Sequence, residues 1–127
     1  MTEPADAEIR ALIERWAAAV RAGDMAGVLA SHASDILMFD VPEPLLSRGI
    51  DDYKATWKLF FRYSAGGPKS FVPRDIAVTA GDTVAFATAI VGIGDSELRL
   101  TIGLRREGGR WLIAHEHHSY AAKLDDI

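Results

Sequence analysis

The stretch Val78–Tyr120, VTAGDTVAFATAIVGIGDSELRLTIGLRREGGRWLIAHEHHSY, decides the fold. Three turn signals, Gly81-Asp82, Gly94-Asp95 and Gly108-Gly109, divide it into runs rich in aliphatic and β-branched residues. With the run that precedes it, the stretch gives four β segments at about 69–79, 83–94, 96–106 and 110–120. Connections this short join neighbours as antiparallel hairpins.

Upstream of these strands the period changes from two to that of a helix. Ile9, Leu12, Ile13, Trp16 and Val20 recur on one helical face, with Pro4 in the first turn and Gly23 placed to end it. Asp24 is suited to cap a short second helix that carries Val28, Leu29 and His32 on its buried side and stops at Ser34-Asp35. Ile36-Leu37-Met38-Phe39 reads as a short buried strand halted by Pro42 and Pro44, which leaves Asp40 at a strand end. After Gly49, Asp51 and Asp52 favour a helix start, and Ile50, Tyr53, Trp57, Phe60 and Phe61 form an aromatic stripe. Ser64-Ala65-Gly66-Gly67-Pro68 breaks that helix. The order is ααβαββββ, an α+β arrangement of three helices on a curved sheet, and residues 1–127 are expected to form one domain.

Alternation in the segment 83–94 makes two apolar faces: Ala85, Ala87, Ala89 and Val91 on one side, Val84, Phe86, Thr88 and Ile90 on the other. Helices cover one side only, so the second face calls for another layer. Trp111 and Ile113 are expected on that same outer surface, and a homodimer through the outer sheet face follows. The small alanines on the inner side leave room for a ligand.

Composition excludes several classes. Hydrophobic residues at 49% and charged residues at 25% are the balance of a globular protein with a packed core. A net charge of −4 with no Lys/Arg block argues against nucleic acid; Arg105, Arg106 and Arg110 read as a solvated hairpin end. The absence of cysteine removes thiolate chemistry and suits a cytoplasmic setting. Met1–Asp6 lacks the features of a signal peptide, and the longest apolar run, about 85–93, is too short for a membrane-spanning helix. No cofactor motif is present. A metal site is not expected either: His115 and His117 share one face, but a third ligand is hard to find, His32 and Glu116 being the candidates and Glu116 lying on the opposite face.

The element order resembles the SnoaL-like and ketosteroid-isomerase-like families of the nuclear-transport-factor-2-like superfamily. So do the stretches Arg21-Ala22-Gly23-Asp24, Asp40-Val41-Pro42, Arg48-Gly49 and Trp111-Leu112-Ile113-Ala114-His115-Glu116-His117-His118-Ser119. The resemblance implies a cone around a cavity for a small hydrophobic or polycyclic ligand, in a superfamily of isomerases, cyclases, dehydratases, epoxide hydrolases and non-catalytic binding proteins. It places Asp40 where the isomerase keeps its proton-transferring aspartate; a carboxylate near an apolar cavity loses hydration and gains basicity. The competing role for Asp40 is to bond the turn before Pro42. The isomerase's two oxyanion donors correspond to Trp16 and to a position near Ile102, and the latter cannot donate.

The resemblance further turns Leu112, Ala114, Glu116 and His118 inward, and His115 and His117 outward. Glu116 and His118 then join Asp40 as candidate catalytic residues, while Trp16, Tyr53, Trp57, Ala87, Ala89, Ile102 and Ala114 are expected to line the cavity. The same Glu116 and His118 can instead serve as a structural pair tying the sheet to a helix. Three functions stay open: proton-transfer chemistry, a non-catalytic binding or interaction module, and epoxide opening. The last needs a cavity arginine, and alternation turns Arg99 outward.

Overall fold

A computed structural model describes residues 3–127; the reading of Met1 and Thr2 lies outside them. The helices are α1 (Glu3–Ala22), α2 (Met25–Leu29) and α3 (Ile50–Tyr63). The strands are β1 (His32–Phe39), β2 (Ser47–Arg48), β3 (Val72–Ala80), β4 (Val84–Ile93), β5 (Ser96–Glu107) and β6 (Arg110–Ser119), and a 3-10 turn, Leu124–Asp126, follows. The strands form one sheet in the order β2-β1-β6-β5-β4-β3, in which β1 and β6 run parallel and every other pair is antiparallel. Three helices on a curved mixed sheet in the order ααβαββββ is the expected cone, with the two-residue β2 as an added edge piece. No helix among the described residues is long and apolar enough to cross a membrane.

The periodic faces become the core. Ile9, Leu12, Ile13, Trp16 and Val20 of α1 are all buried, as are Tyr53 and Trp57 of α3, against Ala87, Ala89, Val91, Leu98, Leu100 and Ile102 on the inner sheet face. Ala87 and Ala89 thus accept packing from the helices instead of leaving space. The last hairpin follows its turn residues: Gly108 and Gly109 both take positive φ (56° and 79°), as a two-residue type I′ turn requires.

The second helix is shorter than its sequence suggests. Asp24 caps it by accepting from the Gly27 N–H at 3.1 Å, but it stops at Leu29 and does not reach Ser34. Ser31 turns the chain at φ 65°, and its carbonyl accepts from the Ile113 N–H at 2.7 Å. That bond starts β1 alongside β6, so His32 opens a strand and is not on a helix.

A bulge in β6 overturns half of the expected facing of that strand. Leu104 pairs with Ile113 and Gly103 with His115, which leaves Ala114 as an extra residue that shifts the alternation. Trp111 and Ile113 therefore face the core, at 4% and 0% exposure, and do not belong to the outer surface. Past the bulge, Glu116 and His118 also face inward, while His115 and His117 point out. A second bulge in β3, where Asp75 takes φ 54°, bends the opposite edge.

The outer face keeps Val84 and Phe86, 63% and 51% exposed, beside Thr88, Ile90 and Leu112. The bulge has a measurable consequence. Ile113→Ala should cost about 2–5 kcal/mol in chemical denaturation and Leu112→Ala about 1 kcal/mol or less; strict alternation through β6 would give the reverse order.

Candidate active site

At the end of the sheet where β1 and β6 finish, a cavity of about 480 Å³ opens between α3 and the strands. Trp57, Phe60, Tyr63, Phe71 and Tyr120 supply aromatic wall; Val41, Pro42, Leu59, Ile93 and Leu98 supply aliphatic wall. Its polar groups are Asp40, His118, Thr56 and Ser64. An apolar pocket with a few convergent polar groups is the form that binding sites for small molecules take.

The side chain of His118 is almost wholly buried on the cavity floor. Its Nε2–H donates to Glu116 Oε1 at 2.9 Å, and its Nδ1 stands 3.6 Å from Asp40 Oδ1. Asp40, at the end of β1, also accepts from the Val41 N–H at 2.8 Å, so its suggested role in the turn and its place in the cavity wall coexist. Glu116 is completely buried behind His118. Its second oxygen, Oε2, accepts from the Tyr53 hydroxyl at 2.6 Å and faces His32 Nε2 at 2.7 Å. His32 Nδ1 donates to the Ala30 carbonyl at 3.1 Å.

Three elements thus meet on one carboxylate: β1 through His32, α3 through Tyr53 and β6 through His118. The charges follow. Burial alone would raise the Glu116 carboxyl, but the hydrogen bonds and charges of His118 and His32 outweigh it and bring it from 4.5 down to about 2. Burial alone would lower His118, but the hydrogen bond and charge of Glu116, with the charge of Asp40, hold it above 6.5. Burial and the neighbouring Glu116 raise the Tyr53 phenol well above 10. The indole N–H groups of Trp16 and Trp57 stand near that phenol, close enough to favour its anion but outside hydrogen-bond geometry.

Of the residues singled out in the sequence, Asp40, Trp57 and His118 line the cavity, and Glu116 lies directly behind His118. Tyr53 is interior and bonded to Glu116, not a wall residue. Trp16 packs between the rings of His118, His32, Trp57 and Phe71. Ala87, Ala89 and Ile102 belong to the packed core, and Ala114 sits at the bulge, so none of the four lines the cavity. Arg99 is exposed, bonded to Ser119 and the Tyr120 carbonyl, and is not among the residues that line the cavity.

His32 is the member of the cluster that the sequence reading placed elsewhere; the signal was a lone histidine between the apolar runs Val28-Leu29 and Ile36-Leu37-Met38-Phe39. His115 and His117 flank Phe39 on the outer face, away from Glu116.

The linkage has a definite sign. Glu116 is lowered, so its contribution to stability is present above pH 4.5 and is lost as pH falls toward about 2. His118 is raised, so its contribution is present below pH 6.5 and is lost as pH rises through its folded value. Thermal denaturation across pH should find a stability plateau between about 4.5 and 6.5. His118→Gln should flatten the alkaline decline, and Glu116→Leu should cost about 3–5 kcal/mol by stranding its partners.

The profile of the SnoaL-like domain family matches residues 9–123. Among solved structures, an NTF2-like protein of unknown function from Pseudomonas putida is 36% identical, with a TM-score of 0.89, covering 99% of this chain and 93% of its own. A protein from Shewanella frigidimarina, proposed to be a ketosteroid isomerase, is 24% identical with a TM-score of 0.71, covering 85% and 91%. A proposed dehydratase of the NTF2-like family from Streptomyces avermitilis shares the fold at 13% identity, with a TM-score of 0.83 and 97% and 100% covered. No curated protein matches the chain.

Proposed function

The chain belongs to the SnoaL-like domain family, within the NTF2-like fold, and from that premise we propose that its cavity binds a small hydrophobic or polycyclic molecule and transfers a proton on it. His118 exchanges the proton, Glu116 orients and charges it, and Asp40 is the second carboxylate at the site. The observation that carries this reading is the buried Glu116–His118 pair on the floor of an apolar cavity, with His118 Nδ1 directed toward Asp40. A carboxylate that fixes one imidazole nitrogen leaves the other to act as base and stabilises the imidazolium that forms. The low dielectric of the aromatic walls strengthens each of these interactions.

Isomerase-, cyclase- or dehydratase-type chemistry fits such a site, and the names given to the Shewanella and Streptomyces proteins are in keeping with it. The second reading, a non-catalytic ligand-binding module, draws on the mutual satisfaction of Glu116, His32 and Tyr53, which resembles a structural network. We read residues 1–127 as one domain, located in the cytoplasm. It pairs with a second copy through the outer sheet face, where Val84, Phe86 and Ile90 present apolar surface.

A thermal-shift screen against fused-ring phenols, enones, polyketide-like lactones and small epoxides should find one stabilising class, with the shift altered by Asp40→Asn. Exchange of that ligand's acidic C–H for deuterium should be accelerated by the protein and fall about 10²–10⁴-fold in His118→Gln. Binding without accelerated exchange would leave the non-catalytic reading standing. Separately, size measurement in solution should find a dimer that Phe86→Asp converts to monomer; a monomeric wild type would refute the pairing.

A further inference from the structure

We propose that His32, which lies outside the cavity wall, sets the proton affinity of His118 by presenting a positively charged ring to the far oxygen of Glu116. His32 Nδ1 lies 3.1 Å from the Ala30 carbonyl, which can only accept, so Nδ1 carries hydrogen. Its Nε2 lies 2.7 Å from Glu116 Oε2. A neutral ring with hydrogen on Nδ1 would set two lone pairs against each other there. The Tyr53 hydroxyl cannot resolve this clash: it stands 2.6 Å from Oε2 and 2.8 Å from His32 Nε2, and its single hydrogen serves only one of them, so with a neutral His32 two short contacts of the triangle would still lack a hydrogen. A second hydrogen, on His32 Nε2, satisfies every contact: Glu116 then accepts from Tyr53, His32 and His118, and the His32–Glu116 pair is neutral as a whole.

Neutrality of that pair matters to His118. The groups that face His118 are Asp40 from the end of β1 and Glu116 from its own strand; α1 and α3 supply the rings of Trp16 and Trp57, and β5 supplies Leu100. His32 and Tyr53 reach it through Glu116. Against a bare buried carboxylate, His118 would hold its proton too firmly to act as a base near neutral pH. A positive ring on the other oxygen offsets that pull and repels a charge on His118 directly, both lowering its proton affinity. His32 is therefore a positioning residue that acts through Glu116. The catalytic value of this arrangement rests on the reading of His118 given above, whereas the charge coupling itself needs no ligand.

Nuclear magnetic resonance of the four histidine rings in the ligand-free protein tests the coupling. In the wild type, both ring nitrogens of His32 should carry hydrogen; a His32 ring with one hydrogen overturns the proposal without any variant. His32→Gln keeps a donor toward Oε2 but removes the charge, and should raise the His118 midpoint by about one pH unit or more. Tyr53→Phe removes a donor without removing charge and should move it by less than half as much. An unchanged or lowered midpoint in folded His32→Gln overturns the proposal. If the coupling is found but His118→Gln leaves proton exchange on a bound ligand unchanged, the proposed function fails and the coupling stands.

Discussion

The arrangement of this protein depends on one buried charge. Glu116 has no contact with water, and a carboxylate in that position costs several kcal/mol unless donors replace its hydration. Three donors do so, and each arrives on a different element: His32 at the start of β1, Tyr53 in the first turns of α3 and His118 two residues further along β6. The helix and both parallel strands are thereby fixed against one another by a polar contact that tolerates little displacement. The Glu116 contacts thus add a directional constraint on α3 that apolar packing alone does not supply.

The same contacts explain why the cavity lies where it does. Trp16 fills the middle of the cone, packed among Trp57, Phe71 and the imidazoles, and the helices close over Ala87 and Ala89. Space is left toward the strand ends, beyond His118, where Asp40, Ile93, Leu98 and Tyr120 meet the second half of α3. A ligand there meets the outermost member of the polar chain and is separated from the rest by the imidazole ring.

Much of this was legible in the sequence because it obeys simple periods. The apolar stripes of α1 and α3 and the three glycine-marked turns each repeat a local rule, and local rules are what a single sequence displays. Two features did not follow such rules. The chain leaves α2 after Leu29 and passes into β1 through Ser31, whose carbonyl accepts a long-range bond from Ile113 that no neighbour of Ser31 announces. The bulge at Ala114 is a matter of pairing between strands, and the residues of β6 carry it only indirectly: apolar Trp111 and Ile113 at odd positions, then Glu116 and His118 at even ones. Read as an unbroken alternation, these groups compete for the interior; with one residue inserted between them, both enter it. Facing was thus recovered for Glu116 and His118 through family resemblance, while Trp111 and Ile113 were turned the wrong way.

That single inserted residue divides β6 into two segments with separate duties. Before Ala114 the inward positions are greasy anchors; after it they are ionisable, and the phase break keeps a change in one half from dictating the facing of the other. A strand built in this way can exchange its chemistry while retaining its anchorage. Positions 116 and 118 can therefore change together, provided that their donors change with them, while Trp111 and Ile113 stay anchored in the core.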